Sequence, residues 1–146
     1  MKCSTLYSAL ALGAIACTLP SAASASPRDA CSILTIAEVR TIVAAPVDRW
    51  APGSNKPTVR GTTTFSNCTY LMQGYLGRGV RVMLLWGPAP LLSANYAAYV
   101  KRNRELPRLI GDALLVVSVT NAARGSGLTY DMPASRALLD AVARKL

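Results

Sequence analysis

Apolar residues recur at helical spacing in three parts of the chain. The first covers residues 35–45, where Thr35 followed by Glu38 forms a capping-box pattern at the start. The second covers residues 91–106, and the third is capped near Asp131 and runs to the end of the chain. The apolar positions of the first segment lie on one stripe, formed by Ile36, Val39, Ile42 and Val43. These segments predict three helices.

Alternating and continuous apolar runs predict four strands, over residues 62–72, 80–86, 113–119 and 128–132. The second of these runs is apolar on both faces, which is typical of a central strand. Residues 47–61 contain two prolines and two glycines, and predict a long irregular loop. The element order is therefore α-β-β-α-β-β-α. It predicts an α+β fold in two layers, with an antiparallel sheet of about four strands and helices packed on it.

The first 25 residues have the pattern of a signal peptide. A positive end at Lys2 is followed by an uncharged apolar segment, and Ala23-Ser24-Ala25 matches a small-x-small cleavage site. Cleavage after Ala25 leaves residues 26–146, which we expect to form a single α+β domain without a transmembrane segment. We therefore expect a periplasmic or secreted protein. The alternative is lipid attachment at Cys17, because Ala14-Ile15-Ala16-Cys17 loosely matches a lipoprotein site.

Two cysteines, Cys31 and Cys68, remain after removal of this leader. In an exported chain of this length they predict one disulfide. A metal site or a reactive thiol is the competing interpretation, but the cysteines lack metal-ligand spacing and the chain contains no histidine. We expect no metal and no cofactor.

Basic residues outnumber acidic ones by 16 to 7, which gives a net charge of +9. Such a charge favours polyanionic partners, including anionic lipid, lipopolysaccharide or an acidic protein. The basic residues are dispersed, however, and a dispersed positive surface also serves solubility alone. We expect no specific nucleic-acid binding, because the sequence lacks a strand on which aromatic and basic residues alternate.

The sequence argues against an enzyme. Without histidine, neither a Ser-His-Asp nor a Cys-His arrangement can form. Glu38 and Asp131 have capping roles, and Asp112 fits a turn after Gly111. The glycine pairs at 77–79 and 125–127 have the chemistry of hairpin turns, since neither follows a strand and opens a helix as a phosphate-binding loop does.

Three short motifs resemble a known family. They are Asp29-Ala30-Cys31-Ser32-Ile33-Leu34-Thr35, Cys68-Thr69-Tyr70, and Ile110-Gly111-Asp112-Ala113 before an apolar strand. Together they resemble uncharacterised bacterial exported proteins and lipoproteins that share a Cys-Ser-Leu-Leu-Thr motif and a later Cys-x-Tyr. The resemblance implies an exported α+β domain held by a Cys31–Cys68 disulfide, and it implies no established activity.

These observations favour a non-catalytic binding or interaction module. Its partner would be a small apolar ligand, an envelope protein or an anionic surface, bound on an open sheet face or in a groove between sheet and helices. The alternative is an envelope-associated protein that binds anionic lipid or lipopolysaccharide through its basic surface, and an enzyme that needs no histidine is the third hypothesis. The candidate contact residues are aromatic or basic, namely Trp50, Tyr75, Arg78, Arg81, Trp86 and Tyr96.

We expect the exported protein to have the mass of residues 26–146 less two hydrogen atoms, because the leader is removed and one disulfide forms. Intact mass spectrometry of protein taken from the periplasm without refolding measures both events in one spectrum. A mass equal to that of residues 17–146 with added acyl chains would contradict cleavage after Ala25.

Overall fold

The computed structural model describes residues 27–50, 55–72, 79–122 and 128–146, which form one antiparallel sheet with helices on it. The strands are β1 (Val47–Trp50), β2 (Asn55–Arg60), β3 (Thr63–Met72), β4 (Gly79–Trp86), β5 (Leu106–Ile110), β6 (Ala113–Ala122) and β7 (Leu128–Tyr130). The helices are α1 (Ala30–Ile33), α2 (Ile36–Val43), α3 (Ala89–Arg102) and α4 (Met132–Ala143). No helix within these ranges is long and apolar enough to cross a membrane.

The three longest strands, β3, β4 and β6, lie side by side in the middle of the sheet. Cys68 of β3 is opposite Val82 of β4, and Val82 is opposite Val117 of β6. On the outer side of β3, the short strands β1 and β2 pair with different parts of its length. On the outer side of β6, β5 and β7 do the same. Each outer edge of the sheet is therefore built from two short strands.

Successive residues of a strand point to opposite faces of the sheet, and both faces of this sheet are covered in part. We call the face with Cys68, Val82 and Val117 the core face; it packs with buried residues of α1, α2 and α4. We call the face with Met83 and Val116 the α3 face, because Leu92 and Tyr99 of α3 pack there. The expectation of two layers is therefore wrong: helices lie on both sides of the sheet.

The segment that carries α1 is attached to three alternate residues of β3. Cys31 forms a disulfide with Cys68, as the sequence predicts. The Ser66 hydroxyl accepts a hydrogen bond of 2.9 Å from the Ala30 amide. The Tyr70 hydroxyl donates to the Leu34 carbonyl at 3.1 Å, and burial raises the pKa of Tyr70 to about 12. Residues 66, 68 and 70 share one face, so all three attachments cover the core face.

Helix α2 begins with the predicted capping box. The Glu38 amide donates to the Thr35 hydroxyl, and the Glu38 carboxylate accepts from the Thr35 amide. The same carboxylate forms an ion pair with Lys145, just beyond α4. Arg28 donates to the Lys145 carbonyl at 2.8 Å, so both ends of the described domain meet beside α2.

The expectation of about four strands in the order α-β-β-α-β-β-α is wrong, because the described residues contain seven strands and four helices. The four expected strands correspond to β3, β4, β6 and β7. Strands β1 and β2 occupy the part of 47–61 expected to be irregular, while residues 51–54 lie outside the described ranges. Strand β5 begins at Leu106, where the sequence predicts the end of the second helix.

Two of the three missed strands, β2 and β5, share a physical explanation. Pro57 lies in β2 and Pro107 in β5, and a proline within a run counts against a strand. Both strands are at an edge of the sheet, where a missing backbone N–H need not break a ladder. Their pairing depends on the long neighbouring strand, which no local sequence pattern records.

Replacing Glu38 should flatten the dependence of stability on acid pH. Hydrogen bonds from Lys145 and then Thr35 lower the pKa of Glu38 from 4.5 to about 2 in the folded chain. The Glu38 contribution is therefore complete above pH 4.5, and it declines as the pH falls toward 2. Thermal unfolding midpoints between these pH values should change less in Glu38→Gln than in the natural sequence. A Lys145→Gln variant should show an intermediate slope, and identical slopes in all three proteins would contradict the assignment.

Replacing Ser66 by alanine should lower the free energy of unfolding more than the same replacement of an exposed serine. Ser66→Ala leaves the buried Ala30 amide without its acceptor, which costs about 1–3 kcal/mol of unfolding free energy. The measurement is urea unfolding under oxidising conditions, so that the disulfide stays intact. Ser93→Ala, on the exposed side of α3, is the matched control and should change the free energy by less than about 0.5 kcal/mol. Equal effects of the two variants would contradict this role of Ser66.

Candidate binding surface beside α3

Of the candidate contact residues that the structure describes, Arg81 and Trp86 lie on opposite faces of the sheet and do not form one site. Trp86 is buried on the core face, whereas Arg81 lies on the α3 face. Tyr96 is a partly exposed residue of α3. Trp50 belongs to β1, but its side chain is not described, and Tyr75 and Arg78 lie outside the described residues. Among the described candidates, Arg81 has both a side-chain hydrogen bond and an ion pair.

Helix α3 covers only one side of the α3 face. Its contacts are with β5 and β6, and Tyr99 reaches Met83 of β4, where its hydroxyl lies 3.7 Å from the sulfur. Toward β3 the cover is incomplete: Phe65 and Leu85 are half-buried, and Leu71 is 44% exposed. The α3 face therefore includes an accessible strip beside the helix.

Arg81 lies in this strip with its guanidinium held on two sides. Its Nε donates to the Asn67 side-chain oxygen at 3.0 Å, and its NH1 lies 3.7 Å from a carboxylate oxygen of Glu105. Asn67 is buried, and the Glu105 side chain is only 16% exposed, so both partners are themselves confined. The Arg81 side chain nevertheless remains 46% exposed. A guanidinium has five N–H donors, so two partners leave others for a ligand.

Tyr99 and Arg102 extend the same surface along α3. The Arg102 guanidinium carbon lies 5.5 Å above the centre of the Tyr99 ring, which is a cation–π distance. Burial and the nearby Glu105 charge raise the pKa of Tyr99, while Arg81 and Arg102 oppose the rise. Tyr99, Glu105, Arg81 and Arg102 are therefore close enough to interact electrostatically. We refer to Asn67, Arg81, Tyr99, Arg102 and Glu105 as the Arg81 cluster.

A third cation, Arg60, lies at the β2 side of the α3 face. The Arg60 guanidinium carbon is 5.8 Å from the centre of the Phe65 ring. Phe65 is opposite Leu85 in the β3–β4 ladder. The Arg60–Phe65 pair therefore lies on the α3 face, beside Leu85 of β4. The accessible strip thus combines cationic side chains with apolar and aromatic surface.

The chemistry available to the Arg81 cluster is recognition of an anion. Arginine forms paired, charge-assisted hydrogen bonds with carboxylate, sulfate and phosphate groups. In the described part of the chain, no three His, Cys, Asp or Glu residues come close enough together to hold a metal ion.

Sequence reasoning identifies Arg81 but misses the residues that orient it. Asn67 precedes Cys68, and strand alternation therefore places it on the face opposite the disulfide. This alternation would have predicted from the sequence that Asn67 shares a face with Arg81. Glu105 is different, because its approach to Arg81 depends on how the chain turns from α3 into β5. No spacing in the sequence contains that information.

Comparison of the chain with protein-family models, with curated proteins and with solved structures finds no match. The resemblance to exported proteins with a Cys-Ser-Leu-Leu-Thr motif therefore stays a prediction.

Proposed function

We propose that the protein is a non-catalytic binding module of the periplasm or the cell exterior. In this proposal the α3 face binds a ligand or partner that has an anionic group beside an apolar body. The observation that carries it is the orientation of Arg81, whose guanidinium is fixed by Asn67 and Glu105 but remains 46% exposed.

A fixed guanidinium binds an anion at lower entropic cost than a free one. A mobile arginine loses side-chain freedom when it binds, and this loss opposes association. Arg81 has already lost much of that freedom through its contacts with Asn67 and Glu105. Glu105 also offsets part of the positive charge, so recognition depends on the shape of the guanidinium fork more than on net charge.

The surroundings of Arg81 supply the contact for an apolar body. Leu71 is exposed, and Phe65, Leu85 and Tyr99 are half-buried on the α3 face. Burying such surface under a ligand is favourable by about 25 cal/mol per Å². Arg60 and Arg102 lie at the sides of this strip and add positive potential without entering its centre.

The second candidate function is binding to a membrane surface of anionic lipid. It is favoured by the exposed apolar residues Leu91, Tyr96 and Val100 of α3, which are followed by Lys101 and Arg102. An apolar surface next to basic residues is typical of a helix that lies at a lipid interface. Attraction of this kind is screened by salt, whereas a partly desolvated contact with Arg81 is screened much less.

Replacing Arg81 should weaken binding of an anionic aromatic probe, anilinonaphthalene sulfonate. Loss of a charge-assisted hydrogen bond predicts a rise in Kd of roughly 10- to 100-fold for Arg81→Gln. Arg81→Lys should recover little of the affinity, because it restores the charge without the planar fork. Fluorescence titration at two salt concentrations measures both effects.

Arg108→Gln is the matched control for this titration. It removes the same charge, but Arg108 pairs with Asp140 of α4, away from the Arg81 cluster. The control should leave the Kd nearly unchanged. Equal weakening by the two variants, with vesicles of phosphatidylglycerol bound only at low salt, would contradict the proposal and favour the membrane surface.

A further inference from the structure

A cleft of about 480 Å³ lies between α2 and α4, the two longer helices that pack on the core face. Eight described residues line it. On each side of the cleft they are spaced three and four positions apart, and residues at that spacing lie on one face of a helix. The cleft is therefore formed by one face of α2, with the residue Leu34 before it, and one face of the C-terminal end of α4.

The apolar part of the cleft lining is aliphatic. Leu34 is buried, Ile42 and Ala141 are half-buried, and Ala37 is exposed. None of the described lining residues is aromatic. Aliphatic side chains form favourable contacts with an alkyl chain, but they have no hydrogen-bonding groups for a polar ligand. The body of a ligand bound here is therefore expected to be a hydrocarbon.

The polar side chains of the cleft differ in whether they have partners. The Thr41 hydroxyl donates to the Ala37 carbonyl at 3.0 Å, and the Glu38 carboxylate forms an ion pair with Lys145. Arg144 is exposed, and its side chain has no hydrogen bond or ion pair with another described residue. Because Glu38 and Lys145 offset each other, the cleft retains one uncompensated positive charge, on Arg144.

We infer that this cleft binds a fatty acid, whose alkyl chain contacts the aliphatic residues and whose carboxylate pairs with Arg144. A guanidinium matches a carboxylate, because two parallel N–H groups donate to its two oxygens. A neutral amphiphile would gain nothing from this charge, and a cationic one would be repelled by it. The volume lies within the range of small-molecule sites, about 300–1,000 Å³, and such sites often lie between helices.

The size of the cleft argues against a protein as its occupant. A stable protein–protein interface takes about 20–30 residues from each partner. Eight described residues line this cleft, and α2 is only eight residues long. A single alkyl chain with one charged end is a better match to a small surface of this composition.

This inference goes beyond the proposed function and does not depend on it. The cleft belongs to the helices of the core face, whereas the Arg81 cluster lies on the α3 face, so the two sites share no described residue. A fatty acid also has the anionic group and apolar body proposed for the ligand of the α3 face. The experiment therefore has to report on the two surfaces separately.

The test follows the assigned backbone amide resonances of the exported, ¹⁵N-labelled protein during titration with octanoate, decanoate and dodecanoate below their micelle concentrations. Ala37 and Ala141 report on the cleft, and Leu71 and Arg81 report on the α3 face. We expect saturable shifts at the cleft, with a Kd that falls roughly two- to fourfold per added methylene. No saturable shift at the cleft, or a Kd independent of chain length, would overturn the inference. Shifts at the α3 face alone would overturn it while supporting the proposed function.

Arg144→Gln tests the position of the carboxylate. The Kd for decanoate at the cleft should rise roughly fivefold, because an exposed charge pair is lost. The Kd for decanol, which has no charge, should not change. Arg136→Gln is the matched control, because it removes the same charge from an exposed position of α4 outside the cleft lining. Equal effects of the two variants on decanoate would overturn the inference.

Ala37→Phe tests the position of the alkyl chain. The larger side chain occupies the cleft from an exposed position, so the Kd for both decanoate and decanol should rise roughly tenfold or more. Ala141→Leu fills the cleft from α4 and gives the same information if the first variant fails to fold. Ala97→Phe, at an exposed position of α3, is the control. Unchanged affinity in both cleft variants would place the chain elsewhere and overturn the inference.

Discussion

Alternate residues on one face of β3 hold the beginning of the domain in place. Ser66, Cys68 and Tyr70 contact the segment 30–34 through a hydrogen bond, a disulfide and a second hydrogen bond. Because this segment leads directly into α2, fixing it also fixes the helix that covers the β1 side of the core face. A disulfide alone would leave that segment free to rotate about a single link. Three contacts spaced along a strand remove this freedom and give α2 one position against α4.

Only part of the fold can be predicted from the sequence. The capping box at Thr35, the disulfide and the alternation of β4 are local or compositional signals, and each is confirmed. Strands β1, β2 and β5 are not predicted by the sequence, because their pairing is determined by β3 and β6 rather than by their own residues. Proline in β2 and β5 points away from strand structure. The sequence also does not predict which face of the sheet α3 covers, because a sheet that is apolar on both faces can pack a helix on either one.

The same distinction between local signals and long-range pairing applies to the candidate contact residues. Strand alternation in β4 places Arg81 and Trp86 on opposite faces of the sheet, so they cannot serve one ligand. Their neighbours come from elements distant in the sequence: Glu105 after α3 in one case, and the 62 and 112 turns in the other. A sequence names residue types capable of binding, but only the register between strands decides which of them meet.

The division of each sheet edge into two short strands has a consequence for the protein at high concentration. A long, straight edge presents a row of free backbone groups to which a second chain can pair, and such edges promote fibrous association. Here β1 and β2 interrupt one edge, and β5 and β7 interrupt the other. Pro57 and Pro107 remove a donor from each, and Lys56 and Arg108 add charge next to them. A domain rich in β-structure is thereby protected from polymerising through its own sheet.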